Sequence, residues 1–412
     1  MGSFNLFLPV LLSLSLITIN IITLPLDALN IDRSLVITPF VFSIILLFLF
    51  ISLIYVKRIF FMPREMFLVF VCFIFTIIVP SLVGFVRNDP IEVFPSLLRY
   101  FSYFLAFVLF FHFYLINSFS LKTLDKIIKI LTIIFLACSL IQIAQGNMIF
   151  MNGAYRLSSV YGNTPAGFAL ITLVFSIYFY CQMLVAYCSR YERIILFSYF
   201  IFNAIMMVMT QSRQSVVTLL LLISFFHFVR ARKLFKIFTL IFAALLAYGF
   251  YWLVLNTDLF PRLTQMLFNY ASDSSTHTRI EIITQTYAHL DTENIIYGIG
   301  LGGFNRFYYD ITGELGVAAH NDFFLFFVEG GVLSLFFYCL FILGGFLFWS
   351  KVVRKKGQAY ITPLCVFTSL YIFSFLNNPY YYPQVQVIAA AMMGGFLAKY
   401  LTDLKKDQHV LP

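Results

Sequence analysis

Charge is scarce in this chain of 412 residues: Asp, Glu, Lys and Arg together make up 11% of it, against 61% hydrophobic residues. That balance excludes a soluble globular domain, in which about a quarter of the residues are charged. Metal-ligand spacing is missing too. The six cysteines, Cys72, Cys138, Cys181, Cys188, Cys339 and Cys365, all fall inside apolar runs, and none pairs with a histidine or another cysteine at metal-site spacing. They read as small packing residues. The glycine-rich run YGIGLGG, Tyr297 to Gly303, has no strand before it and no βαβ unit around it, which excludes a dinucleotide fingerprint. Also absent is any soluble stretch of ordinary domain size between the apolar runs.

What is present is a succession of apolar runs of about 18 to 25 residues, the length a helix rising about 1.5 Å per residue needs to cross the hydrocarbon layer. The runs are continuous and do not alternate, so they are helices and not barrel strands. They predict an all-α polytopic membrane protein, one integral membrane domain over 1–412. About twelve transmembrane helices are expected, near 4–24, 35–56, 66–84, 97–116, 127–145, 165–188, 194–210, 214–229, 235–256, 322–348, 359–376 and 384–401. The first run has no Lys or Arg before it and no small-residue cleavage site, so it is expected to be retained as a helix.

Connections on the cytoplasmic side of a membrane are enriched in Lys and Arg. With the N-terminus inside, the inner connections hold nineteen of the 27 basic residues, which predicts that both termini are cytoplasmic. The net charge of +9 expresses this bias, and no nucleic-acid partner is expected. The outer side keeps Arg33, Arg87, Arg99, Arg156, Arg213, Arg262, Arg279 and Arg306, and no lysine. A guanidinium presents a planar fork of donors that binds phosphate bidentately, whereas an ammonium is a hydrated point charge. An outer face of arginines therefore suits a diphosphate; the plain alternative is that outer basic residues are few in any case.

One connection is long, residues 257–321, on the outer side. Long loops in compact proteins usually carry function. Within it, THTRIEIITQTYAHL has a capping-box pattern in Thr278 and Glu281, then apolar residues at Ile280, Ile283, Tyr287 and Leu290. This predicts an amphipathic helix over the outer mouth of the bundle.

Arg213, in TQSRQS at the outer end of the eighth run, must snorkel to the headgroups or meet an anion. Arg279 falls at the expected start of the loop helix, where the dipole already favours an anion; the alternative is a solvated pair with Glu281 or Asp273. His320 ends the loop, with Asn321 and Asp322 as expected N-cap residues of the tenth run. An imidazole near a helix N-terminus tends to stay neutral and can serve as a base, although a lone histidine is often structural. Glu329 lies one or two turns into that run and calls for a partner, an arginine or a polar group, unless it is a protonated structural residue. YGNTPAG, Tyr161 to Gly167, and YGIGLGG read as tight turns that let backbone approach a ligand or a neighbouring helix. Tyr308 and Tyr309, with Phe307 and Tyr380 to Tyr382, are either an interfacial belt or platforms for stacking sugars.

Taken in order, YGNTPAG preceded by Arg156, TQSRQS, the long loop with TRIE, YGIGLGGF and AAHNDFFLFFVEGG resemble the O-antigen ligase and O-antigen polymerase superfamily of bacterial surface glycan assembly, from about Arg156 to Gly331. The resemblance implies a metal-independent glycosyltransferase with no cofactor, in the bacterial inner membrane, its site facing the periplasm. It implies an undecaprenyl-diphosphate-linked glycan as donor and, as acceptor, a lipid-linked repeat unit or lipid A core, with a chain-length regulator as a further partner. By the same resemblance Arg213 and Arg279 hold the diphosphate and His320 activates the acceptor hydroxyl. Arg156, Glu329, Asn321, Tyr308 and Tyr309 are the expected substrate contacts. A Phe-rich chain with few loop charges favours the polymerase; the ligase, which shares donor and site, is the alternative. A transporter also fits twelve spans, but transporters show paired halves with polar residues at midplane, and here the polar residues gather at the outer face.

Overall fold

A computed structural model describes residues 38–39, 41–46, 62–115, 120–151, 154–161, 164–185, 189–230, 248 and 274–410. The expected span 4–24, most of 35–56, nearly all of 235–256 and the first part of the long connection, 257–273, lie outside the described residues. The helices that follow are α1 (Arg64–Arg87), α2 (Pro90–Leu115), α3 (Leu121–Ala144), α4 (Pro165–Val185), α5 (Arg190–Met209), α6 (Arg213–Arg230), α7 (Ser274–Ala288), α8 (Thr292–Tyr297), α9 (Phe304–Thr312), α10 (Asp322–Lys356), α11 (Ile361–Ser374) and α12 (Pro383–Val410). A two-stranded antiparallel hairpin, β1 (Ile149–Met151) and β2 (Ala154–Arg156), separates α3 from α4, with Ile149 opposite Arg156. Seven of the helices, α1 to α5, α10 and α12, are long and apolar enough to span a membrane. The runs expected at 214–229 and 359–376 form the shorter apolar helices α6 and α11.

Contacts divide the chain into two compact units. The first takes in α1, α2, the first half of α3 and Ile283–Pro412; the second takes in Ile134–Met183 and Cys188–Ile282.

In the first unit α1 packs along α10 and α2 along α12. Phe73 of α1 touches the rings of Phe341 and Tyr380 at centroid distances of 4.8 and 5.9 Å. A small residue lets α2 and α12 close up: a Cβ at Gly394 would stand 2.6 Å from the Phe107 carbonyl oxygen. Two helices are interrupted at one level. Pro80 inside α1 has no N–H to give Thr76, and the Thr76 carbonyl takes the Ser334 hydroxyl instead, at 2.7 Å. Facing it, α10 breaks at Gly331, whose φ of 65° no other residue type adopts easily.

YGIGLGG fills these gaps. Ile299 N–H donates to the Val328 carbonyl at 3.0 Å, Gly300 N–H to that of Glu329 at 2.9 Å, and Leu301 N–H to that of Pro80 at 2.7 Å. The approach is so close that a Cβ at Gly298 would lie 2.2 Å from the Glu329 carbonyl oxygen. The turn therefore serves a neighbouring helix, one of the two roles expected for it. Arg87 closes the C-terminal end of α1: it pairs with Glu293 and donates to the side chain of Asn294 at 2.8 Å.

The second unit packs α3 on α4 through Phe135 and Phe175, 5.9 Å apart, and α4 on α5 through Phe179 and Tyr199, 5.0 Å apart. A capping box starts α5: Ser189 Oγ accepts from the Glu192 N–H at 3.2 Å, and Glu192 Oε2 accepts from the Ser189 N–H at 2.9 Å.

Two expectations for the loop helix need correction. It begins at Ser274, so Thr278 and Glu281 do not cap it, and Arg279 stands in its second turn. Its buried positions are Ile282 and Thr286, while Ile280, Ile283 and Tyr287 are exposed. The face expected to be buried is therefore the exposed one, and Leu290 lies past the end of the helix. The connection also holds α8 and α9 besides this helix. The tenth expected span, 322–348, runs on to Lys356 and is broken.

Candidate functional site

In the second unit the chain around Arg213 is a tight turn between two helices. Thr210 ends α5, Gln211 takes a left-handed φ of 57°, and Arg213 is the first residue of α6. The turn is lined with polar groups that hold one another. Thr210 Oγ1 donates to the Met207 carbonyl at 2.6 Å and accepts from the Ser212 N–H at 3.2 Å; the Ser212 and Ser215 hydroxyls lie 3.2 Å apart. Thr210, Ser212 and Ser215 are buried, and Arg213 is half-buried. The carbonyls that the end of α5 leaves open are taken from β2 onward: Arg156 Nε donates to the Thr210 carbonyl at 2.8 Å and Leu157 N–H to that of Met209 at 3.0 Å.

Arg213 therefore occupies the place expected for Arg279. Free N–H groups and the dipole at the start of a helix favour an anion. Arg279 is half-buried, within α7.

The first unit holds the other expected residues. His320 has a left-handed φ of 53° and is half-buried at the mouth of α10. Asn321 is the N-cap, accepting from the Phe324 N–H at 3.0 Å and donating to the Phe375 carbonyl at 3.1 Å. Asp322, expected to share that capping role, is fully buried: one oxygen accepts from Asn378 Nδ2 at 2.8 Å and the other lies 3.4 Å from the Tyr338 hydroxyl. Glu329 is buried at the break in α10, where its Oε1 accepts from the Gly302 N–H at 3.0 Å, so it holds the glycine turn. Tyr308 is buried and stacks on Phe304 at 6.1 Å, whereas Tyr309 is exposed.

The structure thus gathers Arg156 with Arg213 in one unit and His320, Asn321 and Glu329 around α10 in the other. Among the described residues no group of three His, Cys, Asp or Glu is placed to hold a metal ion.

Arg99, counted with the outer arginines but not singled out, is 8% exposed in the third turn of α2, its guanidinium 4.4 Å over the Tyr381 ring. Burial pushes the Tyr381 hydroxyl up to about 12, so it stays protonated and able to donate. The signal that could have found Arg99 was the one used for Arg213, a lone arginine at the outer edge of an apolar run, here in SLLRYF.

A family model described as O-antigen ligase matches residues 198–339, a range that takes in Arg213, Arg279, His320 and Glu329 and leaves out Arg99 and Arg156. No curated protein shows significant similarity to the chain.

Proposed function

From the match of residues 198–339 to the O-antigen ligase family, we propose that this multi-pass membrane protein is an O-antigen polymerase, or polymerase of a related surface polysaccharide, working at the periplasmic face of the bacterial inner membrane. The donor is a glycan on undecaprenyl diphosphate and the acceptor is the hydroxyl of a sugar on a second lipid-linked repeat unit. The observation that carries the reading is the placement of Arg213 as the first residue of α6, behind a turn of buried polar groups.

The reaction joins an acceptor oxygen to the anomeric carbon of the donor sugar and breaks the bond from that carbon to phosphate. The bonding pair leaves with the lipid diphosphate. Arg213 and Arg279 stabilise that departing charge, a task for fixed donors in a site shielded from water. His320 takes the proton of the attacking hydroxyl. Its left-handed backbone and the Asn321 cap support the role by fixing where the imidazole leaves the chain. The helix α7 and the described part of the long connection keep water from the donor, which would otherwise be hydrolysed.

The test is expression of wild type, Arg213→Ala and His320→Ala in a strain lacking the native gene, with surface glycan separated on a gel. A wild-type ladder that falls to one repeat unit on lipid A core in the variants, at equal protein level, supports the polymerase. A variant that leaves long chains on undecaprenyl diphosphate and none on core makes the protein the ligase. Ladders equal to wild type remove both residues from the mechanism.

A further inference from the structure

Arg156 is the one charged residue between Lys129 and Arg190, and it is buried. The hairpin that it ends has two faces, because side chains alternate along a strand. Ala154 and Arg156 point inward: both are buried, and Arg156 Nη1 donates to Met151 Sδ at 3.5 Å while its Nε holds the Thr210 carbonyl. Phe150 and Tyr155 point the other way. They stand opposite each other across the strands, their rings 5.1 Å apart, and are 65% and 63% exposed.

The hairpin is fastened on both sides. Gln142 of α3 holds its ends together, donating to the Asn147 carbonyl at 3.0 Å and accepting from the N–H groups of Ser158 and Ser159 at 3.2 and 2.7 Å. Leu157 N–H and Arg156 hold the carbonyls of Met209 and Thr210 at the end of α5. Its depth is therefore that of the turn carrying Arg213. Helix α5 starts at Arg190 and α6 ends at Arg230, so basic residues mark the far end of both. The 20 residues of α5 rise about 30 Å, the thickness of the hydrocarbon layer. With Arg190 among the headgroups of one leaflet, the hairpin reaches those of the other.

What the hairpin exposes suits that layer and not water. From Ile130 to Tyr155 there is no Asp, Glu, Lys or Arg, and the exposed side chains of the strands are Phe150, Met151 and Tyr155. A face turned to water mixes charges with its apolar groups, whereas aromatic rings concentrate where bilayer meets water. The apolar surface also continues from the helix before it: Leu140 and Ile141, near the end of α3, are exposed, and only residues 145–148 lie between α3 and β1. We propose that the Phe150 and Tyr155 face of the hairpin is seated in the headgroup layer of the bilayer, an anchor that holds Arg156 and the turn carrying Arg213 at the depth of lipid phosphates. That the turn meets a lipid diphosphate there rests on the glycosyl-transfer reading above; the seating in lipid does not.

The probe is Phe150→Trp in the full-length protein, placed in nanodiscs of phosphatidylglycerol and phosphatidylethanolamine, with the wild-type emission of Trp252 and Trp349 subtracted. The introduced indole should emit to the blue, and lipids brominated just below the headgroups should quench most of it while aqueous iodide should not. Quenching by iodide alone would overturn the anchor, and its relief by repeat-unit oligosaccharide would make the face a glycan surface instead. Quenching by neither would make it a protein contact and overturn the anchor as well. A double variant, Phe150→Ser with Tyr155→Ser, changes exposed positions only, so its yield and thermal midpoint in detergent should match wild type. Its ladder should nevertheless weaken several-fold, whereas that of Phe150→Trp should not. A full ladder in the double variant would overturn the depth-setting role. Quenching by brominated lipid with an intact ladder in His320→Ala would sink the proposed function and keep the anchor. Quenching by iodide with loss of the ladder in His320→Ala would do the reverse.

Discussion

The turn before α6 and the turn before α10 make a matched pair. Each has a non-glycine residue in the left-handed region just ahead of a helix start, Gln211 at φ 57° in one and His320 at φ 53° in the other. Such a conformation costs an L-residue about 1–2 kcal/mol. The two turns differ in what holds them and in what the strain accomplishes. The Gln211 turn is held through its backbone, by Arg156 and Leu157 on the carbonyls of Thr210 and Met209, and the residue proposed to act lies two positions later, on the helix. The His320 turn is held through side chains, Asn321 on Phe375 and Asp322 on Asn378, and the strained residue is itself the proposed base. Strain at Gln211 aims a helix, whereas strain at His320 aims a side chain. It follows that the first turn should tolerate changes to its strained residue and the second should not.

The largest effect expected from breaking either region is at the junction that supports α10. A Cβ at Gly331 would lie 2.1 Å from the Ile296 carbonyl oxygen, on a residue whose φ of 65° and ψ of −169° fall in a region essentially reserved for glycine. Gly331→Ala should cost more than about 4 kcal/mol, a value confined to named steric failures of this kind. The check is the yield of monodisperse protein from detergent. Normal yield with a normal ladder would show that the α10 break is not needed to set the His320 turn.

Next in size is the clamp on the other turn. Arg156→Met leaves the Thr210 carbonyl without its charged donor, a loss of about 1.5–3 kcal/mol, and should lower polymer output together with thermal midpoint. Arg156→Lys should restore part of the stability, since a point charge reaches one carbonyl but lacks the fork. A variant at full stability that makes no polymer would contradict this and return Arg156 to the expected role of substrate contact.

Much of this was legible in the amino-acid order. Continuous apolar runs marked the membrane helices, because a bilayer accepts only segments that satisfy their own backbone. TQSRQS, AAHND and YGIGLGG stood out as polar or glycine-rich breaks in those runs. The unread parts depended on contacts distant in sequence. Nothing near Glu329 tells that its partner is the Gly302 N–H, and nothing near Pro80 tells that its carbonyl receives Leu301. The start of α7 was misplaced because Thr278 and Glu281 form a capping pattern inside a helix that Ser274 had already begun. Arg99 went unread because its partner, Tyr381, lies almost three hundred residues away.

The finest distinction between the turns is the effect of glycine at each strained position. Glycine adopts a positive φ without the penalty of a Cβ, so Gln211→Gly and His320→Gly should each raise stability by about 1 kcal/mol, less the greater freedom glycine gives the unfolded chain. The stability readouts should therefore agree, as similar small rises in thermal midpoint of the purified protein. Glycan output should separate them. Gln211→Gly keeps Arg213 at the head of α6 and should leave a ladder near wild type, whereas His320→Gly removes the proposed base and should leave single repeat units. If both variants lost the ladder, the strain at Gln211 would be aiming more than a helix, and the two turns would be doing the same work.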